Sequence, residues 1–347
     1  MILKKTKMNG VKYSLLEIKS VSKIFSVSKG LFGKVTGSIK AVDDVSLSIA
    51  PGESFGIVGE SGSGNTTLGR CLIRAIEPTN GSVIYNIDEN TSFDLIGLNK
   101  TELIKVKKYF HMIFQDPYSS LNPRMTVLEL IKEPLLYNNI AKGNEANSIV
   151  HDILNEVGLE LKHAHRYAHA FSGGQRQRIG VARSLVVKPK LIICDEPVSA
   201  LDVSIQAQIL NLLQNLKEKY NLTYVFISHD LSVIKHITNK VAVMYVGNII
   251  EISDTNELFT KPLHPYTEAL LSSVPIPDTN AKKEKIILTG EIPNPADPPK
   301  GCLFHPRCKY VKNICKVEKP ILKEIKTNHF SACHFSKELN LKSFLSK

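Results

Sequence analysis

The sequence predicts an α/β fold: a mixed sheet with an antiparallel edge layer, a helical subdomain and a cysteine-bearing extension. Three observations carry this. A short apolar strand, Phe55-Gly56-Ile57-Val58, runs into the glycine-rich stretch Gly59-Glu60-Ser61-Gly62-Ser63-Gly64-Asn65-Thr66-Thr67, which opens a helix through Leu68 and Cys71. A second apolar strand, Leu191-Ile192-Ile193-Cys194, has the composition of a parallel strand covered on both faces. Apolar strands alternate with helical patterns along the second half, as in layered α/β sheets.

Taken in order, Leu15 to Ile49 alternates apolar and polar residues, as in Ser46-Leu47-Ser48-Ile49, and reads as antiparallel strands broken by a Gly- and Lys-rich loop near Lys29 to Gly37. Pro51-Gly52-Glu53 turns into the strand before the glycine-rich stretch. The helix from Thr66 should end near Ile76, before the turn signal Pro78-Thr79-Asn80-Gly81. A strand pair follows at about Ser82–Ile87 and Ser92–Ile96. From about Lys100 to Ala170 the pattern is mostly helical, with Val127, Leu128, Leu130, Ile131 and later Val150, Ile153, Leu154, Val157 at helical spacing. Helices are expected at Ile179–Val187, Ser204–Leu216 and Leu231–Ile237, and strands at Thr223–Ile227, Val241–Tyr245 and Asn248–Ile252. After His264, six prolines from Pro275 to Pro299 read as a stiff linker before four clustered cysteines. The domain reading is therefore a core at 14–265, its helical subdomain at about 100–170, and an extension at 266–347.

Of 347 residues, 43% are hydrophobic and 22% charged, which suits a globular protein. The formal net charge of +11 comes from scattered lysines with no aromatic-interleaved basic run, so it reads as a solvated surface and not as a nucleic-acid site. No run approaches the ~18 apolar residues of a membrane span, and no apolar stretch follows the first lysines as in a signal peptide. A membrane role would then pass through partners. Cys71 and Cys194 lie in apolar elements and read as buried thiols.

Gly59–Thr67 has the Gly-x4-Gly-[Lys]-Thr spacing of a phosphate-binding loop. Its glycines let backbone N–H groups turn toward a polyphosphate, and the helix N-terminus adds its positive dipole end. Thr66 stands where a hydroxyl would ligate Mg²⁺, and Asn65 stands where the pattern has lysine. Asp195 and Glu196 end the apolar strand. In such folds the first carboxylate holds Mg²⁺ through water and the next polarises the attacking water. Phe171-Ser172-Gly173-Gly174-Gln175-Arg176-Gln177-Arg178 precedes a helix and offers a second anion site.

On these residues the chain resembles the ATP-binding cassette (ABC) family, a P-loop NTPase fold whose signature is Ser-Gly-Gly-Gln. The resemblance implies that Ser172, Gly173, Gly174 and Gln175 close over the nucleotide of a partner ATPase. It further implies that Gln115 touches Mg²⁺ and the nucleophilic water, that Asp202 lies in a loop crossing the dimer interface, that His229 contacts the γ-phosphate, and that Phe25 stacks on adenine. His111–Arg124, Asp195–Ser204 and Leu263-His264-Pro265-Tyr266-Thr267 look like the oligopeptide/dipeptide importers, whose relatives include nickel carriers. The match is nearest the F-type ATPase, which works in a heterodimer under two membrane permeases fed by an external peptide-binding protein. Such a subunit sits peripherally on the cytoplasmic face of the inner membrane.

Two departures stand out. Asn65 replaces the lysine that supplies charge to the phosphates. Ala168 and Ala170 flank His169 where the subfamily has proline and glutamate. Two readings follow: an ATPase subunit powering peptide import, or a regulatory nucleotide-binding subunit whose signature completes the partner's site. A cassette ATPase of DNA repair or translation is disfavoured by the single cassette and the lack of a coiled-coil insertion. Cys302, Cys308, Cys315 and Cys333, with His305 and His334 nearby, offer four thiolates suited to zinc or a four-iron cluster. The resemblance implies [4Fe-4S], with Zn²⁺ as the alternative. Read without a metal, they are unligated cysteines in a loop-rich tail.

Overall fold

The computed structural model describes residues 13–29, 34–274 and 285–343. The chain forms two compact units. The first comprises Ser48–Glu53, Ile84–Phe226 and the described part of Met1–Leu16. The second comprises Glu17–Leu47, Ser54–Val83 and the described part of Ile227–Lys347.

In the second unit, β1 (Leu16–Lys29), β2 (Lys34–Ile49) and β4 (Asn80–Asn86) are ordered β2-β1-β4. These strands are the expected edge layer. They run up to Lys29 and resume at Lys34, so any break falls on residues outside the described ones. β3 (Ser54–Val58) is wholly buried and pairs in parallel with β9 (Lys240–Tyr245), Val58 facing Val243. β9 pairs antiparallel with β10 (Asn248–Asp254) through a turn in which Gly247 has φ +76°. α1 (Asn65–Leu72) starts at the glycine-rich loop and stops one turn earlier than its pattern suggested. α8 (Leu231–Ile237) matches its expected span, and α9 (Thr255–Thr260) and α10 (Pro265–Ser272) follow β10.

The tail folds onto this unit. It holds α11 (Asn313–Val317), β11 (Lys323–Lys326) and β12 (His329–Ser331). β12 joins β10 antiparallel, Glu251 opposite Ser331, giving the order β11-β12-β10-β9-β3. Glu251 anchors the join. Its buried carboxylate accepts the Leu263 and His264 N–H groups at 2.7 and 2.9 Å and bonds His329 Nε2 at 2.7 Å.

In the first unit, β5 (Ser92–Asp94) makes a hairpin with β4, Ile84 facing Asp94. β6 (Phe110–Ile113), β7 (Leu191–Asp195) and β8 (Thr223–Ser228) are ordered β6-β7-β8. The stretch expected to be mostly helical thus contains a parallel strand, β6, paired with β7. The helices are α2 (Lys100–Val106), α3 (Pro117–Ser120), α4 (Val127–Tyr137), α5 (Gly143–Glu156), α6 (Gly173–Leu185) and α7 (Val203–Tyr220). α2, α4 and α6 each begin with a capping box, from Asn99, Thr126 and Ser172.

Candidate active site

The expected residues divide between the units: Phe25, Gly59–Thr67, His229 and the four tail cysteines in the second, and Gln115, Ser172–Gln175, Asp195, Glu196 and Asp202 in the first.

The glycine-rich loop leaves buried β3 and is closed by local bonds. Ser63 N–H donates to Glu60 O at 3.0 Å, and Gly247 N–H to Ser63 O at 2.8 Å. Gly64 caps α1 at φ +97°, and a Cβ there would stand 2.0 Å from the Ala41 carbonyl oxygen, so only glycine fits. No side chain caps the helix, which leaves N-terminal N–H groups for a ligand. Asn65 alters that supply. It is buried, and its Oδ1 accepts the Thr66 N–H at 2.7 Å. The residue in the lysine position therefore brings no charge and occupies a loop donor. Phe25 is exposed on β1, as a stacking platform requires, with Lys23 Nζ 4.9 Å from its ring centroid. His229 is exposed on the turn between β8 and α8, where Asp230 N-caps the helix through the Ser232 N–H at 2.7 Å.

In the first unit the parallel register does the positioning. Ile113 pairs with Cys194, so two residues further along each strand Gln115 and Glu196 come side by side. Gln115 Nε2 donates to Glu196 Oε2 at 2.7 Å. Glu196 adopts φ +45°, a strained backbone of the kind concentrated at functional sites. Asp195, ending β7, is 0% exposed, and a carboxylate so enclosed suits a bound cation.

Ser172 Oγ accepts the Gln175 N–H at 3.4 Å, and Gln175 Oε1 accepts the Ser172 N–H at 3.1 Å. α6 thus starts at Gly173, earlier than its apolar pattern indicated. A Cβ on Gly174 would lie 2.5 Å from Ile205 Cγ2, so the signature packs on the helix that follows Asp202. Asp202 is the exposed N-cap of α7.

Cys302, Cys308, Cys315 and Cys333 line one pocket with His264 and His334. Among the described residues no three His, Cys, Asp or Glu side chains converge as a ligand set. Burial raises the thiols of Cys302 and Cys308, to about 11 and about 12. The donor chemistry fits a thiophilic metal; the side chains do not close on a common centre. Cys71 and Cys194 are buried, as expected.

One residue escaped the sequence reading. Arg307, between two tail cysteines, forms an ion pair with Glu60 of the glycine-rich loop at 2.7 Å. A lone arginine in a proline-rich tail carries no local signal of a partner 247 positions away.

Comparison with known proteins agrees with this geometry. A family model described as ABC transporter matches residues 42–199. A second, the C-terminal region of oligopeptide/dipeptide transporters, matches residues 250–315. The chain is 52% identical over 324 residues to the oligopeptide transport ATP-binding protein AppF of Bacillus subtilis, covering 92% of this chain and 97% of that one. It is 47% identical to the putative oligopeptide transport ATP-binding protein YkfD of the same organism, covering 94% and 97%. Among solved structures, it superposes with TM-score 0.60 and 28% identity on the dimeric ATP-binding cassette MJ0796 in a post-hydrolysis state bound to ADP and Pi, covering 69% of this chain and 98% of that one. On these matches the chain belongs to the ABC transporter ATPases and carries the C-terminal region of the oligopeptide/dipeptide transporters.

Proposed function

We propose that this ATPase subunit couples ATP binding and hydrolysis to import of oligopeptides or dipeptides. The observation that carries the solute class is the match of residues 250–315 to the transporters' C-terminal region, supported by relatives named for oligopeptide transport. The subunit works with a second ATPase under two permeases, at the cytoplasmic face of the membrane. Among the described residues no helix is long and apolar enough to cross a membrane. The docking surface is Gln115–Arg124, where Tyr118, on α3, presents 62% of its surface next to the exposed Phe114.

In the reaction, N–H groups of the Gly59–Thr67 loop bind the phosphates and Phe25 stacks on the base. Thr66, Gln115 and Asp195 would hold Mg²⁺, whose charge would offset that of the phosphates. Glu196, oriented by Gln115, takes the proton of the attacking water, and His229 senses the γ-phosphate. Ser172–Gln175 and Asp202 serve the partner's nucleotide. The regulatory alternative has Asn65 as its only support.

The four tail cysteines would hold a [4Fe-4S] cluster in a structural role, with Zn²⁺ as the alternative, once their side chains turned from the pocket walls toward one centre. Their shared pocket supports this reading. Anaerobically purified protein is expected to be brown, with about four irons and four sulfides per chain. Colourless protein with one zinc selects the alternative, and metal-free protein removes both.

The test of transport is reconstitution of the whole complex in vesicles. Receptor loaded with peptide should raise ATP hydrolysis and peptide uptake together, and a crosslinker at Tyr118→Cys should reach a permease. Stimulation by nickel-loaded receptor alone would overturn the solute class, and a subunit that stays free when permeases are present would overturn docking.

A further inference from the structure

The phosphate loop is held from the tail. Glu60 follows the first loop glycine and is fixed at two points. Its N–H donates to Tyr266 Oη at 2.9 Å. Its carboxylate is gripped by Arg307 through both terminal nitrogens, at 2.7 and 3.3 Å. The Arg307 side chain is 8% exposed, and its Nη1 also reaches Tyr245 Oη at 3.5 Å. Behind it Phe304, buried, packs edge-to-face against both Tyr245 and Tyr266 with ring centroids 5.4 Å apart. Tyr245 ends β9, the strand paired with the strand that delivers the loop.

A largely buried ion pair is a poor stability device, because desolvating its charges, here chiefly the arginine's, offsets much of their attraction. Here the arginine's Nε–H is also buried with no partner among the described residues. The pair does have a second effect. Without Arg307, Glu60 would place an uncompensated negative charge in a loop that must receive a polyphosphate, and that loop has Asn65 where lysine would offset it. Bidentate geometry also fixes carboxylate orientation as a lysine could not.

We propose that Arg307 is a positioning residue for nucleotide binding: through Glu60 it fixes the shape of the Gly59–Asn65 loop and cancels its one carboxylate. It acts on the loop and not on the nucleotide, and the cysteine segment that carries it is thereby part of the nucleotide site. The proposal rests on the loop's nucleotide-binding role and is independent of the transported solute.

The test uses the full-length chain with two readouts: amide hydrogen exchange across residues 59–65, which needs no ligand, and MgATP affinity by titration. Arg307→Met should raise loop exchange and weaken MgATP binding by on the order of tenfold, or about 1.4 kcal/mol. Arg307→Lys should recover part of both. Adding Glu60→Gln to Arg307→Met removes the unpaired charge and should restore affinity toward wild type, so the double-mutant cycle is non-additive. This pair also reads the effect if Arg307→Met alone folds poorly. Ser336→Ala breaks a buried 2.9 Å bond to Ser331 elsewhere in the same tail and should change neither readout. Wild-type exchange and affinity in Arg307→Met, an additive cycle, or an equal loss in Ser336→Ala at matched thermal stability would each overturn the proposal.

Discussion

Replacing Asn65 by lysine tests how the loop works without its usual charge. Two effects add. The asparagine Oδ1 now takes the Thr66 N–H at 2.7 Å, and removing it returns one donor to the loop. That donor is worth about 1 kcal/mol in ground-state binding, roughly fivefold in ATP affinity. The lysine charge acts where negative charge develops during phosphoryl transfer. By comparison with other preorganised donors it is worth about 3–4 kcal/mol, or 10²–10³-fold in turnover. The turnover term dominates, so Asn65→Lys should raise kcat far more than it lowers KM. The assay is steady-state ATP hydrolysis by the assembled complex, with the partner's own site silenced so that only this loop reports. A gain in affinity with unchanged kcat would refute the reasoning and make the loop's charge irrelevant to the step that limits the cycle.

Glu196→Gln should lower turnover by about 10²–10⁴-fold while MgATP binding by titration stays near wild type, since only the proton acceptor is lost. Glu251→Ala strands a buried histidine and two N–H groups, so it should cost about 3–5 kcal/mol, read as a lower denaturation midpoint. His111 offers a pH handle: burial, reinforced by the Arg183 charge, lowers it from 6.5 to about 4. Below 6.5 the unfolded chain takes up a proton that the folded chain refuses, so stability should fall as pH drops from 6.5 toward 4, and His111→Gln should flatten that limb of a denaturation series.

What could be read from sequence was local. The glycine-rich loop, the Asp195-Glu196 pair and the Ser172-Gly173-Gly174-Gln175 signature are each contiguous, and their geometry follows from backbone chemistry within a few residues. Buried strands such as β7 and β8 announce themselves as unbroken apolar runs. β6 did not: Phe110-His111-Met112-Ile113 is four residues long, directly after a helical pattern, and its strand state comes from pairing with β7. β11 and β12, Lys-Glu-Ile-Lys and His-Phe-Ser, have no apolar alternation and take their form from docking on β10. The Gln115–Glu196 contact follows from the β6–β7 register, which periodicity does not reveal. Arg307 was hidden for the same reason, since its partner is distant in the chain and the tail looks like a linker until it is folded.

The pairing of β12 with β10 also covers a sheet edge. β10, Asn248-Ile249-Ile250-Glu251-Ile252-Ser253-Asp254, would otherwise be an open edge with a full row of unpaired backbone groups. Such an edge invites another chain to add a strand. β12 covers it, and the strand left outermost, β11, is short and carries Lys323 and Lys326, both exposed, which disfavour further pairing. A chain cut after Val274 would expose this edge and also lose Arg307 from the glycine-rich loop, so self-association in solution should accompany its weakened nucleotide binding.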